Sequence, residues 1–65
     1  MPYAMKRINQ FEREELIAQL ACERQESRTT IRKTTISRGA LTLADGRKLI
    51  ADSARWFVGT PVEAK

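Results

Sequence analysis

Apolar residues in the N-terminal half of the chain recur about every three to four positions, which is the pattern of an amphipathic helix. Asn9 and Glu12 have the spacing of a capping box, and the stretch from residue 10 to residue 26 contains no glycine or proline. The pattern predicts a helix over residues 9–26, preceded by a loose N-terminus over residues 1–7.

The apolar face of this predicted helix is narrow at its start and wide in its second half. Phe11 and Cys22 lie on the narrow face, where we expect Cys22 to be a buried small hydrophobe. The residues that widen the face are Leu16, Ile17 and Leu20. A helix on a small sheet needs only one apolar stripe. Either the helix is shared between the chain's own sheet and a second subunit, or the chain is a monomer in which Ile17 is partly exposed.

The second half of the chain has the composition of short strands. Residues 29–37 are rich in β-branched side chains, which fit a pleated surface. We therefore expect a β-meander over residues 29–58, with a turn at Arg38 and Gly39 after its first strand. Residues 60–65 are expected to be a loose tail.

The strongest local signal in this half is the triplet that ends in Gly46, which predicts a hairpin turn. A three-residue loop with Gly46 in the left-handed conformation would pair Leu43 with Arg47 and Leu41 with Leu49. A two-residue loop would place Leu49 on the opposite face of the hairpin. We favour the three-residue loop because it gathers the leucines on one face.

The last apolar run has two interpretations. Trp56, Phe57 and Val58 are aromatic or β-branched, which favours a strand. Asp52 could instead cap a short final helix that ends at Gly59. The strand is the favoured interpretation.

Chain length limits the size of the core. A domain of 65 residues buries only about 60% of the surface that its unfolded chain exposes. Small domains usually add disulfides, a metal or a partner subunit. Cys22 is the only cysteine and histidine is absent, which leaves oligomerisation.

We expect a single small domain over residues 1–65, of class α+β. One N-terminal amphipathic helix packs on a small antiparallel β-meander of about three to four short strands, assembled as a homodimer or higher oligomer.

Several classes of function are disfavoured by the sequence. Without histidine, a nucleophile motif or a glycine-rich phosphate loop, we expect neither an enzyme nor a bound metal or cofactor. The apolar stretches are far shorter than the roughly 20 residues of a membrane span. Lys6 and Arg7 are followed by Asn9, Gln10 and Glu12 instead of the apolar segment of a signal peptide. We expect a cytoplasmic protein with no membrane partner.

Charge is divided between the two halves of the chain. Residues 1–26 carry four basic and five acidic side chains, whereas residues 27–58 carry seven basic and two acidic ones. A basic strand-and-hairpin surface favours a small nucleic-acid-binding protein, for DNA or RNA, with an accessory or regulatory role. The predicted phosphate contacts are Arg28, Arg32, Lys33, Arg38, Arg47, Lys48 and Arg55. The alternative is that these side chains form an ordinary solvated surface that binds no ligand.

Two other classes of function fit the same sequence. One is an inhibitor or adaptor that docks on a larger protein through the helix and the aromatic pair. The predicted partner or oligomer contacts are Leu16, Ile17, Leu20, Trp56 and Phe57. The other is an oligomer whose subunits together form a cationic pocket for a small anionic, nucleotide-like ligand.

Overall fold

The structure is a computed structural model that describes residues 3–62. Within this range two helices and a four-stranded antiparallel sheet follow one another along the chain. The elements are β1 (Tyr3–Arg7), α1 (Gln10–Arg24), α2 (Arg28–Arg38), β2 (Ala40–Thr42), β3 (Lys48–Asp52) and β4 (Arg55–Pro61). The sheet order is β1-β4-β3-β2, so the N-terminal strand lies beside the last one. The predicted α+β class is confirmed.

The N-terminal helix begins where the sequence predicts. The backbone N–H of Glu12 donates to Asn9 Oδ1 over 2.9 Å, and the backbone N–H of Asn9 donates to Glu12 Oε1 over 3.3 Å. These two bonds form the predicted capping box. The helix ends at Arg24, and Gln25 follows in the left-handed conformation with φ 55°.

A second helix replaces the predicted first strand of the meander. Ser27 caps α2 by accepting from the backbone N–H of Thr30 over 3.1 Å, and Gly39 ends it with φ 89°. Ile31 and Thr35, one helical turn apart, are both fully buried. Thr35 Oγ1 donates to the carbonyl of Ile31 over 2.7 Å, which satisfies its hydroxyl inside the core. The prediction of a strand here was wrong because end caps and packing outweigh the β propensity of threonine.

The predicted loose termini are also corrected. Residues 3–7 form β1, which is held by antiparallel pairing with β4 from Tyr3↔Pro61 to Arg7↔Phe57. Residues 60 and 61 belong to β4, whereas residues 63–65 of the predicted tail lie outside the described residues. A strand of this kind depends on a partner distant in sequence, and local composition does not reveal that partner.

The hairpin forms with the predicted three-residue loop. The backbone N–H of Leu43 donates to the carbonyl of Arg47 over 2.7 Å, and Gly46 has a φ of 94°. Leu41 pairs with Leu49 across β2 and β3. Residues 55–58 are part of β4, so the strand interpretation of the last apolar run is confirmed.

The core lies between the helices and one face of the sheet. Ile17 and Leu20 of α1, Ile31 of α2 and Leu49 of β3 are all 0% exposed. The second helix packs against α1, so the wide apolar face of α1 is covered within one chain. Ile17 therefore needs neither a second subunit nor partial exposure.

Two residues that the helical pattern assigned to the core lie on the surface. Phe11 is 83% exposed and Cys22 is exposed. The helix turns the side that carries Leu16, Ile17 and Leu20 inward, which leaves the Phe11 side in solvent. Helical periodicity defines the faces of a helix but does not show which face is covered.

Within residues 3–62, neither helix is long and apolar enough to cross a membrane.

Candidate functional site

One face of the sheet is not covered by the helices. Alternation along β4 sends Trp56 and Val58 into the core and sends Phe57 and Gly59 to the other side. The residues of that other side, here called the open face, are Tyr3, Met5, Arg7, Ala40, Thr42, Lys48, Ile50, Asp52, Arg55, Phe57, Gly59 and Pro61. The open face therefore draws on all four strands.

The centre of the open face is apolar. A Cβ atom built on Gly59 would lie 3.2 Å from Ile50 Cδ1, 3.4 Å from Tyr3 Cδ2 and 3.6 Å from Met5 Sδ. These three side chains thus surround the bare backbone of Gly59. Phe57 is Cα partner to Ile50 on one side and to Arg7 on the other. Met5 is 55% exposed, and Tyr3, Ile50 and Phe57 are half-buried.

Basic side chains accompany this apolar centre. Lys48 lies opposite Gly59, and its Nζ is 4.8 Å from the centroid of the Tyr3 ring. At this distance the ammonium group and the ring attract each other as a cation–π pair. Arg7 and Arg55 lie at the other end of the face, next to Phe57, and both are exposed. Asp52, the Cα partner of Arg55, is the acidic residue of the open face.

Arg32 and Arg47, two of the predicted phosphate contacts, are engaged in ion pairs. Arg32 Nη2 donates to both carboxylate oxygens of Glu14, over 2.9 and 3.2 Å, which joins α2 to α1. Arg13 Nε donates to the same carboxylate over 3.1 Å. Partial desolvation alone would raise the pKa of Glu14, but the hydrogen bonds and charges of the two arginines outweigh it and lower the pKa.

Arg47 has its partner within the hairpin loop. Its backbone N–H donates to Asp45 Oδ1 over 3.0 Å, and its Nε lies 2.7 Å from Asp45 Oδ2. The backbone hydrogen bond is the main cause of the lowered pKa of Asp45, and the guanidinium adds to it. Arg47 thus stabilises the turn.

The remaining predicted contacts divide between the two sides of the molecule. Lys48 and Arg55 lie on the open face. Arg28, Lys33 and Arg38 are exposed on α2, which belongs to the helical layer on the opposite side of the sheet. The predicted basic strand-and-hairpin surface is therefore not continuous. Its residues are divided between the two layers of the molecule.

The predicted partner contacts are placed differently again. Leu16, Ile17, Leu20 and Trp56 are buried in the chain's own core, each at 8% exposure or less. This corrects the expectation that they face a partner, since the folded chain already covers them. Phe57 alone of that set lies on the open face.

Sequence reasoning missed the contribution of β1 to the site. Tyr3, Met5 and Arg7 were assigned to a loose N-terminus, yet they form one edge of the open face. Their spacing of two residues was the available signal, because alternate residues of a strand share one face. Among residues 3–62, no three potential metal ligands come together.

Comparison with known proteins adds no relative: no family profile, no curated protein and no solved structure matches the chain.

Proposed function

We propose that the protein binds nucleic acid and that the open face is the surface that contacts it. The observation that carries the proposal is the combination, on one uncovered sheet face, of an apolar and aromatic centre with basic side chains at its margins. Two of these basic side chains, Lys48 and Arg55, are among those predicted from sequence, and Arg7 of β1 joins them.

The apolar centre of the open face is unusual because it faces solvent. An antiparallel sheet with one covered face usually presents polar side chains on the other. Tyr3, Met5, Ile50 and Phe57 are instead grouped on the uncovered face. A group of exposed apolar residues rimmed by polar ones is typical of an interaction site.

The charge of the open face indicates an anionic partner. Arg7, Lys48 and Arg55 are opposed there by Asp52 alone, and the whole chain has a formal net charge of +4. Phosphate groups supply most of the affinity of non-specific nucleic-acid binding through basic side chains. Bases can stack on Phe57, and such stacking tolerates any base because each has a π face. Together these contacts suit a partner that offers both phosphates and flat apolar rings.

The decisive experiment compares two matched triple variants. R7Q/K48Q/R55Q removes three charges from the open face, and R28Q/K33Q/R38Q removes three charges from α2. Fluorescence anisotropy with labelled single-stranded and duplex oligonucleotides, over a salt series, measures binding by each. We expect the open-face variant to lose most of its affinity and to lower the salt slope by about 2, since each phosphate contributes about 0.7 for single strands.

The α2 variant is the control because it has the same net charge as the open-face variant. We expect it to retain most of the affinity. Equal losses in the two variants would contradict the assignment to the open face. A wild-type protein that binds no oligonucleotide at low salt, but keeps a protein partner after nuclease treatment, would favour the inhibitor or adaptor hypothesis instead.

A further inference from the structure

A small cleft opens at the end of the sheet where β1 ends and β4 begins. Its volume is about 230 Å³. It is lined by Arg7, Ile8, Asn9, Gln10, Arg13, Ala54, Arg55 and Trp56. Three arginines from three different elements therefore line one cleft, here called the arginine cleft.

One of these arginines is held in place by its neighbours. Arg13 Cζ lies 5.5 Å from the centroid of the Trp56 ring, and Arg13 Nε donates to Glu14 Oε2 over 3.1 Å. The side chain of Arg13 is only 26% exposed. Its Nε is engaged with Glu14, while its two terminal nitrogens make no hydrogen bond within residues 3–62. A guanidinium fixed in this way loses little conformational freedom on binding an anion.

The charges around the cleft favour an anion. None of its lining residues is acidic. Glu14, beside Arg13, is shared with Arg32, so it neutralises Arg13 only in part. Asp52 opposes Arg55 in the sheet, and Glu12 is engaged in the capping box of α1. The positive end of the α1 dipole also lies at this cleft, because Asn9 and Gln10 are in its lining.

The size of the cleft limits what it can hold. Pockets for drug-sized ligands have volumes of about 300–1,000 Å³. The arginine cleft is smaller, so it suits one compact anionic group. The two terminal nitrogens of Arg13 match the oxygens of a phosphate, which they can bind as a pair.

The position of the cleft connects it to the open face. Arg7 and Arg55 belong to both, and Arg7 is the Cα partner of Phe57. We propose that the arginine cleft binds a phosphate group of a strand whose adjacent base stacks on Phe57. This inference rests on the proposed function and deepens it. The phosphate is either a terminal monoester or an internal diester of the strand.

The first experiment uses inorganic phosphate as the probe. Trp56 is the only tryptophan and lines the cleft, so its fluorescence reports occupancy. We expect a saturable change with phosphate and none with chloride at matched ionic strength. R13Q and R55Q should each weaken phosphate binding by about tenfold, a change of about 1.4 kcal/mol. R28Q on α2 should bind phosphate as the wild type does.

Because R13Q also removes the cation beside Trp56, phosphorus NMR line broadening provides a second measure that does not depend on fluorescence. Circular dichroism verifies that each variant is folded. R55Q, at an exposed position, keeps the inference testable if R13Q does not fold. The absence of saturable phosphate binding in the wild type, or unchanged binding in both variants, would overturn the inference.

The second experiment separates the two sources of phosphate. Short single strands with a 5′-phosphate, a 3′-phosphate or no terminal phosphate are compared by anisotropy with the wild type and R13Q. Tighter binding of one phosphorylated strand, lost in R13Q, assigns the cleft to that terminal group. Equal binding of all three strands, weakened in R13Q, assigns it to an internal diester.

These results also separate the inference from the proposed function. If strands bind through the open face but R13Q and R55Q affect neither strand nor phosphate binding, the cleft assignment fails and the proposed function stands. If phosphate saturates the cleft but no strand binds, the proposed function fails, and with it the part of the inference that places the phosphate on a strand.

Discussion

The ammonium group of Lys48 lies 4.8 Å from the centroid of the Tyr3 ring, although β3 and β1 are separated by β4. Gly59 of β4 lies directly opposite Lys48 and has no side chain to obstruct this contact. The bare backbone at one position of the central strand thus lets side chains from both neighbouring strands meet above it.

Substituting Gly59 by valine should destabilise the fold. Its Cβ would lie 3.2 Å from Ile50 Cδ1, closer than ordinary contact, and 3.4 Å from Tyr3 Cδ2, at the limit of ordinary contact. The two added methyl groups would need further space. Overpacking of this kind costs about 1–3 kcal/mol in the free energy of unfolding. Urea denaturation measures the change. Thr60→Val, at the next and exposed position of β4, is the control and should stay within about 0.5 kcal/mol of the wild type.

Phe57→Leu should reduce the free energy of binding to single strands by more than it reduces the free energy of unfolding. Leucine keeps an apolar side chain on the open face but removes the ring, and base–aromatic stacking contributes about 1–3 kcal/mol per base. The slope of binding against salt should not change, since no charge is altered. Phe11→Leu is the matched control because Phe11 is 83% exposed on α1. Equal losses of affinity in the two variants would refute a stacking role for Phe57.

The Glu14–Arg32 ion pair predicts a specific dependence of stability on pH. The pKa of Glu14 is lower in the folded state than in the unfolded state. Between these two pKa values the unfolded state binds more protons, so stability rises with pH there. The contribution is complete above the ordinary glutamate pKa of about 4.3 and is lost as pH falls through the lowered folded value. Both side chains are about one third exposed, so the pair contributes only about 0.2–1 kcal/mol.

Urea midpoints measured between neutral and strongly acidic pH test this dependence. In Glu14→Gln the midpoint should be lower at neutral pH and should fall less steeply on acidification than in the wild type. Glu15→Gln removes the same charge from an exposed neighbouring position and should retain the steeper acid limb. A steeper acid limb in Glu14→Gln would contradict the assigned sign.

Ser27→Ala tests the second helix directly. Loss of the hydrogen bond from the backbone N–H of Thr30 removes the N-cap of α2, at a cost of about 1 kcal/mol in the free energy of unfolding. Ser37→Ala, near the other end of α2 and exposed, should have little effect. Thermal denaturation followed by circular dichroism compares the two. Indistinguishable midpoints would mean that Ser27 does not cap a helix.

The features that sequence predicted correctly are those encoded by neighbouring residues. Asn9 and Glu12 form the capping box between themselves, and Gly46 alone supplies the positive φ of the hairpin. The threonine-rich composition suggested a strand at residues 29–37. The cap at Ser27 and the burial of Ile31 stabilise a helix there instead. Strand β1 depends on pairing with the distant strand β4, so the two-residue spacing of Tyr3, Met5 and Arg7 could not by itself establish it.

The candidate site was predicted only in part, because some of its residues are brought together by contacts distant in sequence. Lys48 and Arg55 were identified from charge, and both lie on the open face. Arg7 was missed with the rest of β1, and Arg13 was missed because only the packing of α1 brings it to Trp56. Arg32 has a formal charge like the others, but its contact with Glu14, distant in sequence, could not be read from the residues around it.

The pairing of β1 with β4 has a consequence for synthesis of the protein. Tyr3 leaves the ribosome well before its partner Pro61, because β1 precedes both helices and β4 follows all the other described elements. Strand β1 therefore cannot pair until β4 has emerged, and this contact carries the entropy cost of a long loop. Tyr3, Met5 and Arg7 come from one end of the chain, and Phe57 and Gly59 from the other. A nascent chain whose β4 has not yet emerged thus lacks the assembled open face.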